Sequence, residues 1–197
     1  MSLKRILAVI YRHLLVLLRD TSRISELFYW PLFDIILWGF ASTWMGSQNN
    51  DNTTLVLSTL SCLILWQVVY RTCQDVCLSF IEEVWSRNLI NLFSTPITLF
   101  EWLFGVMILG FFKVMPSMIF AIAAVKYLYS INILSLGYIL IPFTISLIVS
   151  GWVIGVFIAS FLVYWGHRVQ TLVWSLAWAF APLSGVFFAI TVFSWPI

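Results

Sequence analysis

Charged residues are scarce in this sequence. Only 9% of its 197 residues are Asp, Glu, Lys or Arg, whereas about a quarter of a soluble domain is charged. In contrast, 62% of the residues are hydrophobic, and the mean hydropathy is +1.01. These values exclude a soluble globular domain. They predict an all-α polytopic membrane protein with several helices and no separate soluble module.

Motifs of several enzyme classes are also missing. The sequence has no G-x-x-x-x-G-K-[ST] phosphate-binding loop, no H-E-x-x-H zinc motif and no G-x-S-x-G nucleophile motif. Its two histidines are His13 and His167, and two of its three cysteines, Cys73 and Cys77, are four residues apart rather than in a C-x-x-C pair. We therefore expect no catalytic, cofactor or metal site on this chain, so that energy for any work comes from a partner chain.

Residues 1–26 form the first predicted unit, an amphipathic helix. Arg5, Arg12 and Arg19 recur every seven residues on one side of it. The other side is an apolar stripe of Leu3, Ile6, Leu7, Ile10, Leu14, Leu17 and Leu18. A basic face opposite an apolar stripe is typical of a helix in the membrane interface, so we expect membrane lipid as its partner rather than nucleic acid.

Residues 27–197 are predicted to form a transmembrane domain. Five apolar runs predict membrane spans at about 27–45, 55–80, 99–125, 136–164 and 169–188. The fourth contains Gly151-x-x-x-Gly155, a small-residue pattern that lets another helix approach closely. Pro182, Gly185 and Pro196 interrupt the apolar segment that follows. We expect a broken, re-entrant segment there, and a sixth span that is missing.

Basic residues indicate the orientation of the chain. Half of them precede the first long apolar run: Lys4, Arg5, Arg12, Arg19 and Arg23. The polar loop 46–54 that follows this run has none. The positive-inside rule therefore predicts a cytoplasmic amino terminus. Loop 80–98 and the His167–Arg168 turn then also lie in the cytoplasm, and Lys126, on the outside, is the one contrary charge.

The loop at 80–98 is too polar for lipid but keeps a helical period. One face carries Trp85, Leu89, Leu92 and Phe93, and the remaining surface carries Glu82, Glu83, Ser86, Arg87, Asn88 and Asn91. Pro96 ends the segment, and Thr98 with Glu101 predicts a capping box for the next helix. The pattern predicts an amphipathic helix over 82–95 at the membrane surface, suited to binding a partner.

Four ionisable residues lie inside predicted spans: Asp34, Arg71, Asp75 and Lys113. Such residues are costly in lipid and usually face a bundle interior or a water-filled path. Arg71 and Asp75 are four residues apart, so we expect an ion pair between them that fixes helix packing. For Asp34 and Lys113, a structural role and a role in a translocation route or ion relay both stay open, as does a pairing of these two residues across helices.

The order of these features resembles the membrane subunit (permease) of type-2 ATP-binding-cassette transporters, which are mostly exporters. The likeness covers nearly the whole chain: a basic amphipathic helix, a span with YWPLFDIILWG, a second span, the EEVWSRNLINLFSTPIT loop, further spans and APLSGVFF. The loop and PLSGVFF are its most specific parts. The resemblance implies six spans, with a re-entrant segment between the fifth and sixth. It also implies a bacterial inner membrane location, a second permease copy or close paralogue, and a separate ATPase subunit that binds ATP and Mg.

In that family, the loop after the second span is the coupling helix that docks on the ATPase. The resemblance thus implies a docking surface of Glu82, Glu83, Trp85, Arg87, Asn88, Leu89, Leu92 and Phe93. The function that follows is ATP-driven movement of an amphipathic drug, lipid or glycan, and nothing in the sequence selects among these. Two alternatives stay open: a non-transporting scaffold subunit, and a lipid-modifying enzyme with Asp34, Asp75 or His167 as acid or base.

Overall fold

The computed structural model describes residues 1–47, 52–166 and 170–184, and every regular element in these ranges is helical. The α-helices are α1 (Leu3–Arg19), α2 (Thr21–Ser47), α3 (Asn52–Trp85), α4 (Leu89–Ser94), α5 (Leu99–Tyr129), α6 (Leu140–Trp165) and α7 (Gln170–Leu183). A 3₁₀ helix, Ile133–Ile139, leads into α6. The predicted all-α class is therefore confirmed for the described residues.

Four helical segments are long and apolar enough to cross a membrane. They are Thr21–Ser47, Val56–Trp85, Leu99–Tyr129 and Gly137–Trp165. A helix of 27 residues is about 40 Å long, more than the roughly 30 Å of a hydrocarbon core. The chain thus has the character of a membrane protein. The predicted fifth span is described only as the 14 residues of α7, and the predicted re-entrant segment and the His167–Arg168 turn lie outside the described residues.

Several helix boundaries differ from those predicted. α1 ends at Arg19 and α2 begins at Thr21, because Asp20 interrupts the helix and its Oδ1 accepts a hydrogen bond from Ser22 N at 3.1 Å, which caps α2. Residues 21–26 therefore belong to α2 and not to the amphipathic helix. At the other boundaries, α3 continues to Trp85 rather than to residue 80, α5 continues to residue 129, and α6 begins at residue 140.

α3 is the central helix and packs against α2, α5, α6 and α7. Its contact with α6 depends on two glycines. A Cβ atom at Gly151 would overlap Thr72 Oγ1 and lie 2.6 Å from Val69 O, and one at Gly155 would lie 2.9 Å from Cys73 O. The close helix approach predicted from the small-residue pattern is therefore confirmed, and its partner is α3.

α1 lies across the end of the bundle where α3 ends and α5 begins. Its Val9 is buried, and a Cβ atom at Gly105 of α5 would lie 2.7 Å from Val9 Cγ1. On the opposite side, Leu3, Leu7 and Leu18 of the apolar stripe are exposed. The contact of this stripe with lipid stays a prediction. We call this end of the bundle the charged end, since Arg5, Arg12, Arg23, Glu82, Glu83 and Glu101 meet there.

Candidate functional site

The turn between α3 and α4 divides the segment that was predicted to be one helix. Asn88 N donates to Glu83 O at 3.0 Å and Arg87 N donates to Val84 O at 3.1 Å, while Arg87 has a left-handed φ of 51°. This bonding pattern is a Schellman motif, which ends α3. The predicted continuous helix over 82–95 is therefore wrong. Ser86 favours the break because its hydroxyl donates to the backbone, to Glu82 O at 2.8 Å, and asparagine at position 88 has a low helix propensity.

Glu83 fixes the position of this turn from inside the protein. It is only 1% exposed. Arg12 of α1 binds it as a two-pronged fork, with Nη1 2.7 Å from Oε1 and Nη2 3.0 Å from Oε2. Asn88 Nδ2 also donates to Oε2 at 2.9 Å. A single buried carboxylate thus joins α1, the end of α3 and the residue that precedes α4.

Glu101 makes a second link between α1 and the bundle. The predicted capping box is confirmed: Thr98 Oγ1 accepts from Glu101 N at 3.3 Å, and Glu101 Oε2 accepts from Thr98 N at 3.0 Å. The same carboxylate accepts from Ser2 N at 2.6 Å and lies 3.5 Å from Arg5 Nη1. The capping pattern in the sequence gave no sign of these contacts with α1.

A third carboxylate at the charged end, Glu82, binds Arg23 of α2 at 2.6 Å. Arg23 also lies 3.0 Å from Asp20. The pKa of Asp20 is below its ordinary value, first because the Ser22 hydroxyl donates to the carboxylate and further because Arg23 does. Glu82, Glu83 and Glu101 are therefore each paired with an arginine of α1 or α2, and the loop carboxylates are neutralised within the chain.

His13 lies beside the buried ion pair. Its Nε2 is 3.9 Å from Glu83 Oε1, and its ring packs in a T-shaped arrangement with that of Trp102 on α5. Burial, with Arg12 adding to it, lowers the pKa of His13 from 6.5 to about 4, and Glu83 opposes this only in part. The imidazole is thus neutral near pH 7, and it contributes apolar packing to the charged end rather than a positive charge.

The residues predicted to form a docking surface differ in exposure. Trp85 is 55% exposed and Arg87 is exposed, whereas Glu83 and Leu92 are buried. Ile90, which was not predicted, is 84% exposed. On a continuous helix Ile90 lies on a different side from Trp85 and Leu89, so the predicted apolar face does not include it. Asn88 and Leu89 are half-buried, and the Phe93 side chain lies outside the described part. We call Trp85, Arg87 and Ile90 the exposed face.

The intramembrane ionisable residues pair differently from the prediction. Lys113 Nζ of α5 donates to Asp75 of α3, and Arg71 Nη2 donates to Glu26 O at 2.7 Å. Asp34 accepts a hydrogen bond from Gln67 Nε2. Among the described residues, neither Arg71 and Asp75 nor Asp34 and Lys113 form an ion pair within 4 Å, although the Arg71 and Asp75 charges act on each other through space. The Arg71–Asp75 ion pair is predicted from their spacing along α3 alone, whereas side chains of adjacent helices compete for the same charged partners. Gln67, a polar residue one turn before Arg71, was the available signal.

Two cavities lie near these features. One of about 340 Å³ lies between α3, α6 and α7, and it is lined by Cys62, Leu65, Trp66, Val69, Phe143, Leu147, Ser150, Ile154, Phe180 and Ser184. The other, of about 270 Å³, separates α1 from α4 and is lined by Ala8, Val9, Arg12, Asn88, Asn91, Leu92, Thr95 and Ile97. The first is mostly apolar with two hydroxyls, whereas the second combines apolar side chains with two amides, a hydroxyl and the Arg12 guanidinium. Among the described residues, no group of three or more His, Cys, Asp and Glu could hold a metal ion.

Comparisons with protein-family models, with curated proteins and with solved structures found no match to this chain.

Proposed function

We propose that this chain is the membrane subunit of an ATP-binding-cassette exporter, and that an ATPase on a separate chain docks on the exposed face. The exposed face is the observation that carries this proposal. It presents a large aromatic side chain, a cation and an isoleucine that is 84% exposed. Large apolar groups beside an arginine are the composition of protein-binding surfaces, and the carboxylates that would offset Arg87 are already paired within the chain.

The connection of the exposed face to the bundle supports a coupling role. α4 has six residues, too few to be stable alone. It is fixed instead by the buried Leu92, by the turn at Arg87 and by the contact between Asn88 and Glu83. A load applied at Ile90 would therefore pass into α3 and α1. Transmission of force from a motor requires this kind of stiff attachment, with contacts that differ between the motor's two states.

The cavity between α3, α6 and α7 supports an amphipathic substrate. Its walls are apolar side chains of three helices, and Ser150 and Ser184 supply the few polar groups. Its volume of about 340 Å³ falls within the range of small-molecule sites. In the proposed dimer of two permease chains, this cavity would form one side of the route.

Co-purification tests the proposal directly. The tagged protein, solubilised from its own membrane, is expected to retain a protein that hydrolyses ATP. Ile90→Asp should abolish this retention, since it puts a carboxylate where an apolar contact is needed. Leu134→Asp is the matched control, because Leu134 is also exposed but lies on the 3₁₀ helix at the opposite end of the bundle, outside the candidate spans. Retention of an ATPase by wild type and by Leu134→Asp but not by Ile90→Asp supports the proposal.

Other results would contradict it. If no ATP-hydrolysing protein is retained by wild type, or if Ile90→Asp retains it fully, docking at the exposed face is wrong and a scaffold role is favoured. The orientation needs its own measurement: a cysteine at the exposed Ser86 should react with a membrane-impermeant maleimide only from the cytoplasmic side. Labelling from the outer side would remove the exposed face from reach of any cytoplasmic motor.

A further inference from the structure

A row of polar side chains follows one face of α3 through the apolar part of the bundle. Gln67, Arg71 and Asp75 recur every four residues, so successive members are about 6 Å apart along the helix axis. Each bonds to a neighbouring helix: Gln67 to Asp34, Arg71 to Glu26 O, and Asp75 to Lys113. We call this row the polar ladder. It lies between α2 and α5.

Asp34 differs from Asp75, Glu82 and Glu83, the acids that α3 carries. Asp75 is bound by Lys113, and Glu82 is bound by Arg23. Asp34 instead receives a hydrogen bond from the neutral amide of Gln67, and the part of the chain that the structure describes shows no cation within 4 Å of it.

Each charged group around Asp34 has another contact. Arg71 of α3 acts on Asp34 through space, but its Nη2 donates to Glu26 O. Lys113 of α5 forms an ion pair with Asp75. On α2 itself, the nearest acid before Asp34 is the exposed Glu26, two helical turns away. An ionised Asp34 would therefore be compensated only through space by Arg71, with no ion pair among the described residues, and intramembrane carboxylates without a direct partner are costly.

The amide of Gln67 supplies the second observation. Its Nε2 donates to Asp34, but its Oε1 is buried and has no hydrogen-bond partner among the described residues. A buried acceptor without a donor is destabilising. A carboxylate offers no donor, whereas a carboxylic acid offers one O–H. Protonation of Asp34 would thus supply, at the same contact, the hydrogen that Gln67 Oε1 lacks.

We propose that Asp34 is a reversible proton-binding site, at which the acid form makes two hydrogen bonds with the Gln67 amide. Gln67 Nε2–H donates to one carboxyl oxygen, and the carboxyl O–H donates to Gln67 Oε1. A proton from water forms the O–H bond, the carboxylate charge of −1 becomes zero, and no electron is transferred. The acid form joins α2 to α3 by two bonds, and the ionised form by one. Proton binding therefore tightens the α2–α3 contact, a property that does not depend on the proposed exporter function.

Infrared difference spectroscopy on the full chain in lipid nanodiscs tests the site. Spectra at low and high pH should show a carboxylic acid band that is lost in Asp34→Asn and kept in Glu26→Gln. Asp34→Asn should stay folded, because the asparagine amide can make the same two bonds with Gln67. Gln67→Leu should keep the band but move it to the position of an acid without a hydrogen bond, which a purely structural role of Gln67 would not do.

Labelling of the wild-type chain gives an independent measurement that needs no variant to fold. Dicyclohexylcarbodiimide, an apolar reagent, adds the O–H of a carboxylic acid across its C=N bond. Mass spectrometry of peptides should find at least about tenfold more label at Asp34 than at Asp75, since Asp75 is paired with Lys113 and Asp34 has no ion pair among the described residues. Equal labelling of the two residues would overturn the proposal. So would an acid band that does not depend on Asp34, or ordered water bound to Gln67 Oε1 beside an ionised Asp34.

Discussion

The buried ion pair between Arg12 and Glu83 predicts an unequal response to the removal of its two partners. Arg12→Ala removes the guanidinium from Glu83, which is 1% exposed in the intact protein, and among the described residues the Asn88 amide is then the close side-chain hydrogen-bond donor that remains. Glu83→Gln removes the buried charge instead, and it leaves Arg12, whose side chain is 44% exposed, to be hydrated by water. The first change should therefore be the more damaging.

The magnitudes follow from burial. Removal of one partner of a fully buried ion pair costs about 3–5 kcal/mol, and the partial exposure of Arg12 reduces this to roughly 2–3 kcal/mol for Arg12→Ala. Glu83→Gln loses charge-assisted hydrogen bonds but strands no buried charge, so we expect about 1 kcal/mol. The double variant strands no charge either. It should cost about as much as Glu83→Gln alone, so that the second substitution rescues the first.

The free energy of unfolding in mixed micelles, followed by tryptophan fluorescence, is the measurement. Arg19→Ala is the control, since Arg19 is an exposed arginine of the same helix and has no ion pair within the described residues. It should change stability by less than about 0.5 kcal/mol. Equal costs for Arg12→Ala and Glu83→Gln, or strictly additive costs in the double variant, would refute the reasoning that Glu83 is a desolvated charge held by Arg12.

Three further predictions concern local features. Because the folded-state pKa of His13 is lowered to about 4, the unfolded chain binds the proton first as the pH falls. The free energy of unfolding should therefore decrease between pH 6.5 and pH 4, by up to ~3 kcal/mol. The difference between wild type and His13→Gln isolates this effect, and its absence would contradict burial of the ring. Gly151→Ala should lower the free energy of unfolding by about 1–3 kcal/mol. Adding Thr72→Ala should restore only part of this loss, since the new Cβ atom would still lie 2.6 Å from Val69 O; full restoration would show that the backbone contact is unimportant. Arg87→Gly should raise the free energy of unfolding by about 1 kcal/mol, since glycine has no steric cost at positive φ, while it weakens retention of the proposed ATPase; lower stability would show that the arginine side chain is needed for the fold.

The helical architecture could be predicted because apolar run length and end signals are local. The capping box at Thr98 and the close approach at Gly151 depend on residues within a few positions of each other, and the structure confirms both. The division of the loop was also encoded locally, in Ser86-Arg87-Asn88. It was missed because an arginine at a left-handed φ is uncommon and the helical period of the apolar residues continues through the break.

The ion pairs could not be predicted because they join residues far apart in the chain. Glu83 and Arg12 are 71 positions apart, and Lys113 and Asp75 are 38 apart. Along the sequence, Arg71 is the basic residue nearest to Asp75, but in the structure Asp75 pairs with Lys113 of another helix. The same reason explains why Glu83 was assigned to an outward docking surface. Its polarity indicated a solvated position, but a carboxylate can be buried when an arginine fork and an amide satisfy it.

The central position of α3 connects the exposed face with the interior of the bundle. With 34 residues, it is about 50 Å long, and its last turn holds Glu83 while its middle carries the polar ladder and one wall of the α3–α6–α7 cavity. In the proposed exporter, a displacement of α4 would be transmitted to α3 at Glu83. Because α3 is continuous, the displacement would reach the cavity without passing through a loop. The same displacement would change the α2–α3 contact at Asp34. Proton binding at Asp34 would therefore favour the position of α3 in which this contact is tighter. Protonation and docking would then be coupled through one helix, and by linkage each would alter the equilibrium of the other.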